Sequence, residues 1–187
     1  MPLTLDHRWE HALIAETISR AKKSCPACYT GRTAIQKFLY FMKVRGVPMN
    51  YDFEIYNYGP YCSSVSADVE WLQADGVVTD DARQDRYSDY RTTGEANELL
   101  RKYSDQLSEQ LNTVHSVVDA LCGKEPDRLE LDATLDFCFR WVRARGGDGP
   151  YKEDAIAKFI EIKKNKFERE DIEAAYDSLV NARLIES

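Results

Sequence analysis

A predominantly helical α+β fold is predicted by three features of the sequence. These are a helix, strand, helix unit over residues 33–78, a hairpin pattern directly after it, and a series of amphipathic helices filling the remainder. Helix, turn, helix and hairpin in that order read as a winged-helix-like N-terminal lobe over residues 1–92. A long bridging helix at 93–126 then leads to a helical second lobe at 127–187.

In chain order, Leu5 to Lys23 places Trp9, Leu13, Ile14, Thr17, Ile18 and Ala21 on one side, with Asp6 as the expected cap. The helix from Thr33 carries an apolar stripe of Ile35, Phe38, Leu39 and Met42 and stops at Gly46, with Pro48 beyond. From Tyr51 to Ile55 apolar and acidic residues alternate as in a half-buried strand, and Gly59-Pro60 is expected to end it. Ser63 or Ser64 can cap the next helix, whose inner face is Val65, Val69 and Leu72 and whose stop is Gly76. Val77 to Thr79 and Tyr87 to Thr92 can then pair across a polar turn.

Thr92 or Thr93 opens the expected long helix, with Leu100, Tyr103, Leu107, Leu111, Val114, Val117, Val118 and Leu121 along it. Its stripe is broader than a coiled-coil seam, so it reads as a strut between lobes rather than a zipper. The second lobe holds helices through Leu131 to Val142, Tyr151 to Ile162, and from Glu168. It can be aligned with the first as a degenerate repeat: KFLYFMKVRG at 37–46 is answered by FCFRWVRARG at 137–146, and EWLQADGVV at 70–78 by DSLVNARLI at 177–185.

Composition limits the function classes. With 187 residues and 43% hydrophobic content the chain can bury a core of ordinary size. No apolar run approaches the roughly 20 residues that span a bilayer, and MPLTLDHRWE lacks the regions of a signal peptide, so a cytoplasmic location is expected. The odd count of five cysteines fits reduced thiols better than a disulfide framework. Cys25 and Cys28 form a Cys-x-x-Cys pair that His7 and His11 could complete as a zinc site on paper. The 14 residues from His11 to Cys25 would rise about 20 Å along a straight helix, so no metal or cofactor is expected. No phosphate loop, nucleophile elbow or His-Glu-x-x-His occurs, and His115 sits among apolar positions as a core or interfacial residue. No catalytic residue is assigned and an enzyme is not expected.

The pattern of Gln36, Lys37, Leu39 and Tyr40 on a helix, followed by the Tyr58-Gly59-Pro60 turn, resembles the Panacea-domain antitoxin-like proteins and the YwgA-like bacterial proteins. The resemblance covers about a quarter of the chain. It implies a bacterial regulator associated with toxin neutralisation or defence loci rather than catalysis.

Two functional readings follow. The leading one is a non-enzymatic regulatory protein acting through a protein partner, as an antitoxin-like neutraliser or adaptor. Tyr56, Tyr58, Tyr61, Tyr87 and Tyr90 are its expected partner-binding residues, because tyrosine joins apolar area to a polar handle. The alternative is a winged-helix DNA-binding transcriptional regulator. Its nucleic-acid contacts would be Arg20, Lys22, Lys23, Arg32, Lys37, Lys43 and Arg45, which lie in a stretch without acids. The helix after Gly59-Pro60 has Asp68, Glu70 and Asp75 and no base, so it is not expected to read a major groove.

Overall fold

The computed structural model describes residues 6–82, 87–146 and 149–185. Among these the elements run α1 (Trp9–Ser24), α2 (Arg32–Val44), β1 (Glu54–Tyr56), β2 (Gly59–Tyr61), α3 (Ser63–Ala74), β3 (Val78–Asp80) and β4 (Tyr90–Thr92). They continue with α4 (Ala96–Lys102), α5 (Ser104–Leu121), α6 (Pro126–Ala144), α7 (Lys152–Lys163) and α8 (Arg169–Asn181). Helix takes up 63% of the described residues, so the expected helical predominance holds. The strands form two separate antiparallel pairs, β1 with β2 and β3 with β4.

α2 is the centre of the molecule. Its sequence shows one apolar stripe, yet every residue from Ala34 to Met42 is buried, because α1, α3, α5, α6 and β2 all pack on it. An enclosed helix is normally apolar all round. Here Gln36, Lys37 and Tyr40 are tolerated because each meets a specific polar partner. Around α2 a single cluster of buried residues runs from Ala12 in α1 to Ile185 after α8.

Several expectations shift in the structure. α1 starts at Trp9, after non-helical residues 6–8, and the Arg8 N–H donates to His11 Nδ1 at 3.3 Å; Asp6 is exposed and does not cap it, and the expected start at Leu5 lies outside the described residues. The first strand lies at Glu54–Tyr56, and Gly59-Pro60 does not end it but forms the return strand, with Ile55 opposite Pro60. Tyr51 is thereby freed from pairing and points into the core. In the second hairpin Val78 pairs with Thr92, and residues 83–86 of the expected polar turn lie outside the described residues. The expected long bridging helix breaks at Tyr103, which leaves helical geometry at φ −111° and donates its hydroxyl to the His7 carbonyl. α5 then lies along α1 and α2 instead of standing as a strut.

The two aligned segments end their helices alike. Gly46 (φ 91°) follows α2 and Gly146 (φ 81°) follows α6. After α3 the Val77 N–H bonds the Leu72 carbonyl at 2.9 Å, and after α8 the Leu184 N–H bonds the Leu179 carbonyl at 2.9 Å, at matching positions of the alignment. The left-handed residue is Gly76 in the first case and Arg183 (φ 55°) in the second. Between the matched helices the first segment inserts hairpin β1–β2, whereas the second inserts α7.

Candidate functional site

Hairpin β1–β2 is fixed in place by polar groups from three helices. The Gln36 carboxamide bonds the Cys62 backbone in both directions, donating from Nε2 to the carbonyl at 2.9 Å and accepting from the N–H at Oε1 at 3.0 Å. Lys37 Nζ donates to the Pro60 carbonyl at 2.8 Å although the residue is 2% exposed, and burial pulls its pKa down to about 8. On α6 the buried Glu130 accepts from Lys163 at 2.8 Å and Lys166 at 2.7 Å, and Lys163 also donates to the Asn57 carbonyl at 2.8 Å. Gly59 is required at φ 84°, since a Cβ there would lie 2.5 Å from Thr134 Oγ1. Tyr40 completes the seam between α2 and α6 by donating to Asp136 Oδ2 at 2.8 Å. That carboxylate also takes Arg140 Nε at 2.8 Å, and its pKa is raised by burial against the pull of the guanidinium.

Of the residues shared with the Panacea-like pattern, Gln36, Lys37, Tyr40, Gly59 and Pro60 build this mount, and Leu39 is core. Tyr58 is left pointing outward. It is 65% exposed and Tyr56 is 63% exposed, on the turn and the adjoining strand. Tyr61 is half-buried, with its ring 5.7 Å from that of Tyr56 and its hydroxyl 3.2 Å from Ser66 Oγ on α3. Lys166 Nζ stands 5.5 Å from the Tyr58 ring centre.

The other two expected tyrosines go elsewhere. Tyr87 is exposed before β4, on a cavity shared with Tyr29. Tyr90 is 1% exposed and cannot meet a partner: its N–H donates to the Thr30 carbonyl and its hydroxyl accepts from Arg32 Nε at 3.2 Å. Two exposed aromatics were not anticipated, Tyr29 and Trp71. The Trp71 signal was present, since position 71 falls off the Val65, Val69, Leu72 stripe and a helical period turns it outward.

The acids of α3 are not a uniform outward charge, which corrects the electrostatic expectation. Asp68 is 4% exposed and receives Arg8 at 2.8 and 2.6 Å and the Tyr51 hydroxyl at 2.6 Å. His11 Nε2 lies 3.3 Å from the same carboxylate, and burial lowers the pKa of this imidazole. Asp75 Oδ2 lies 2.6 Å from His7 Nε2. Ser63, Ser64, Ala67, Glu70, Trp71 and Ala74 remain as the exposed face, with Glu70 its one charge.

The basic stretch is largely engaged within the fold. Arg20 pairs with Asp119, and Lys22 with Asp89 and the Cys28 carbonyl. Lys43 binds the Tyr51 carbonyl and Asp52, and Arg45 the Arg183 carbonyl. Arg32 reaches Tyr90, and Lys37 is interior, so it presents no charge to a phosphate. Lys23 is exposed near the end of α1.

Cys25 and Cys28, expected as thiols, are joined in a disulfide that closes the loop between α1 and α2. Cys62, Cys122 and Cys138 are free. His7 and His11 lie at the opposite end of α1, beside Asp75 and Asp68. Among the described residues no group of His, Cys, Asp and Glu is arranged to hold a metal ion. His115 is half-buried and meets Glu16 at 2.8 Å. No helix among the described residues is long and apolar enough to cross a membrane. No protein-family model matches the chain, and no curated protein sequence matches it.

Proposed function

We propose that the protein is a non-enzymatic regulator, an antitoxin-like neutraliser or adaptor on a winged-helix scaffold. It would engage a protein partner through hairpin β1–β2 and the outer face of α3. The observation that carries this reading is the aromatic strip on a rigid mount: Tyr58 and Tyr56 stand exposed, Tyr61 links them to α3, and Trp71 is 49% exposed farther along that helix. Rigid aromatic side chains on a fixed backbone lose little entropy on docking and are the commonest interface anchors. The exposed α3 face, mostly small residues with one acid, suits a protein surface better than a phosphate backbone. A cytoplasmic, bacterial setting belongs to the same proposal.

Co-purification from the native host tests it, with wild type beside the Tyr56→Ser, Tyr58→Ser double variant. A parallel mobility shift on the protein's own upstream DNA across a salt series tests the alternative. The expected result is a partner retained by wild type and lost, by about tenfold or more in affinity, with the variant at unchanged melting temperature. Salt-sensitive, sequence-specific DNA binding abolished by Ser64→Glu, with no protein retained, would establish the DNA-binding regulator instead.

A further inference from the structure

A cavity lies away from the aromatic strip. It has a volume of about 1000 Å³ and is bounded by the loop into α2, the second hairpin and the loop between α5 and α6. That is ample for a small organic ligand, whose sites span about 300–1000 Å³. Its walls are held in register by Gly31, where a Cβ would come within 2.8 Å of the Ser88 carbonyl, so α2 and the second hairpin meet backbone to backbone. A second close approach is at Gly123, where a Cβ would lie 3.3 Å from Cys28 Sγ.

The lining combines two kinds of group. Tyr29 and Tyr87 face it from different segments and are 65% and 66% exposed, so both rings have most of their area open to a ligand. The polar lining favours acceptor-rich chemistry. The Arg32 side chain bonds the Tyr90 hydroxyl rather than a carboxylate, and the hydroxyls of Thr33 and Ser88 add further donors, whereas Lys124 is held by Asp132 at 2.7 Å. Of the two lining carboxylates, Asp80 already accepts the N–H groups of Ala82 at 3.1 Å and Asp89 at 2.8 Å. Glu125 lies at the start of α6. Aromatic faces together with a guanidinium are the elements that hold a flat ring and an oxyanion at once.

We propose that this cavity binds a nucleoside phosphate, with the base against Tyr29 and Tyr87 and the phosphate on Arg32. The inference is independent of the protein-partner reading, since the cavity and the strip share no residue. Calorimetric titration of the full-length protein with ADP, adenosine and inorganic phosphate tests it. ADP is expected to bind at least about tenfold more tightly than either fragment. Tyr29→Ala, at an exposed position, is expected to weaken ADP about tenfold. Arg32→Gln is expected to bring ADP down to the level of adenosine, while Tyr56→Ser leaves binding unchanged. Because Arg32 also bonds Tyr90, its variant is read only with an unchanged thermal midpoint, and Tyr29→Ala decides the matter if that midpoint falls. Absence of ADP binding at millimolar concentration overturns the proposal, as does equal affinity for ADP and adenosine, or ADP binding that Tyr29→Ala leaves unaltered.

Discussion

The two hairpins have strands of equal length and are anchored by different groups. β1–β2 is held through its own backbone carbonyls, which receive ammonium groups from Lys37 on α2 and Lys163 on α7. β3–β4 is held by Asp89, which accepts the Thr30 N–H at 3.0 Å and the Lys22 ammonium, and by the buried Tyr90, whose N–H donates to the Thr30 carbonyl and whose hydroxyl accepts from Arg32. A two-stranded hairpin is marginal by itself in water, so what receives its polar groups decides how firmly it stands. The first is bolted at several points and can display exposed tyrosines without moving. The second is fastened around Asp89 and Tyr90 to the connection between α1 and α2.

The contrast is sharpest at Gly59. Gly59→Ala forces a Cβ against Thr134 Oγ1 and leaves a non-glycine residue at φ 84°. A loss of about 3 kcal/mol is expected in urea unfolding, part of it restored when Thr134→Ala is added. A loss under about 1 kcal/mol would mean that the first hairpin is less tightly seated than described.

Asp89→Ala should cost less, about 2 kcal/mol, because the Thr30 N–H loses its acceptor and Lys22 its counter-charge, keeping only the Cys28 carbonyl. Hydrogen exchange gives the discriminating measurement. Amides of Thr79 and Arg91, the hydrogen-bonded pair of that ladder, should speed up while that of Tyr61 stays protected, and equal acceleration in both hairpins would erase the distinction.

The smallest expected effect is a pH dependence. The pKa of Lys37 is lowered to about 8 in the folded protein, from 10.5 ordinarily, so between those values the unfolded chain holds a proton that the folded one has released. Its contribution therefore rises with pH through that window and is flat below it. The stability of wild type relative to Lys37→Met should shift in favour of wild type by about 1 kcal/mol from pH 7 to pH 9. A difference that is constant with pH would show that Lys37 titrates normally.

The sequence made the elements legible wherever a single apolar stripe met a stop signal, as for α2 with Gly46 and α3 with Gly76. It hid the mount, because Lys37, Glu130, Asp132 and Asp136 look like surface charges in a helical pattern. Only the approach of α2 and α6, far apart in sequence, buries them, while their partners come from α6 itself and its neighbours: Arg140 one turn on from Asp136, Lys124 just before the helix for Asp132, and Lys163 on α7 for Glu130. The bridging helix was misread for a related reason: nothing local at Tyr103 breaks a helix, whereas its hydroxyl reaches back to the His7 carbonyl. The tyrosines were separable only in part. Tyr87 and Tyr90 are three apart, a spacing that puts them on opposite faces of a strand, and Tyr90 is interior while Tyr87 is exposed just before β4.

The bond from Lys163 to the Asn57 carbonyl joins residues 106 positions apart. During synthesis at about 5–20 residues per second, the turn that carries Tyr58 therefore leaves the ribosome roughly 5–20 s before the ammonium group that secures it. For that interval the growing chain presents exposed aromatics on an unfastened hairpin, beside a Lys37 that has not yet been enclosed by α6. The order of translation thus makes the aromatic strip chemically available before it is geometrically defined, and makes completion of α7 the event that gives the surface its final shape.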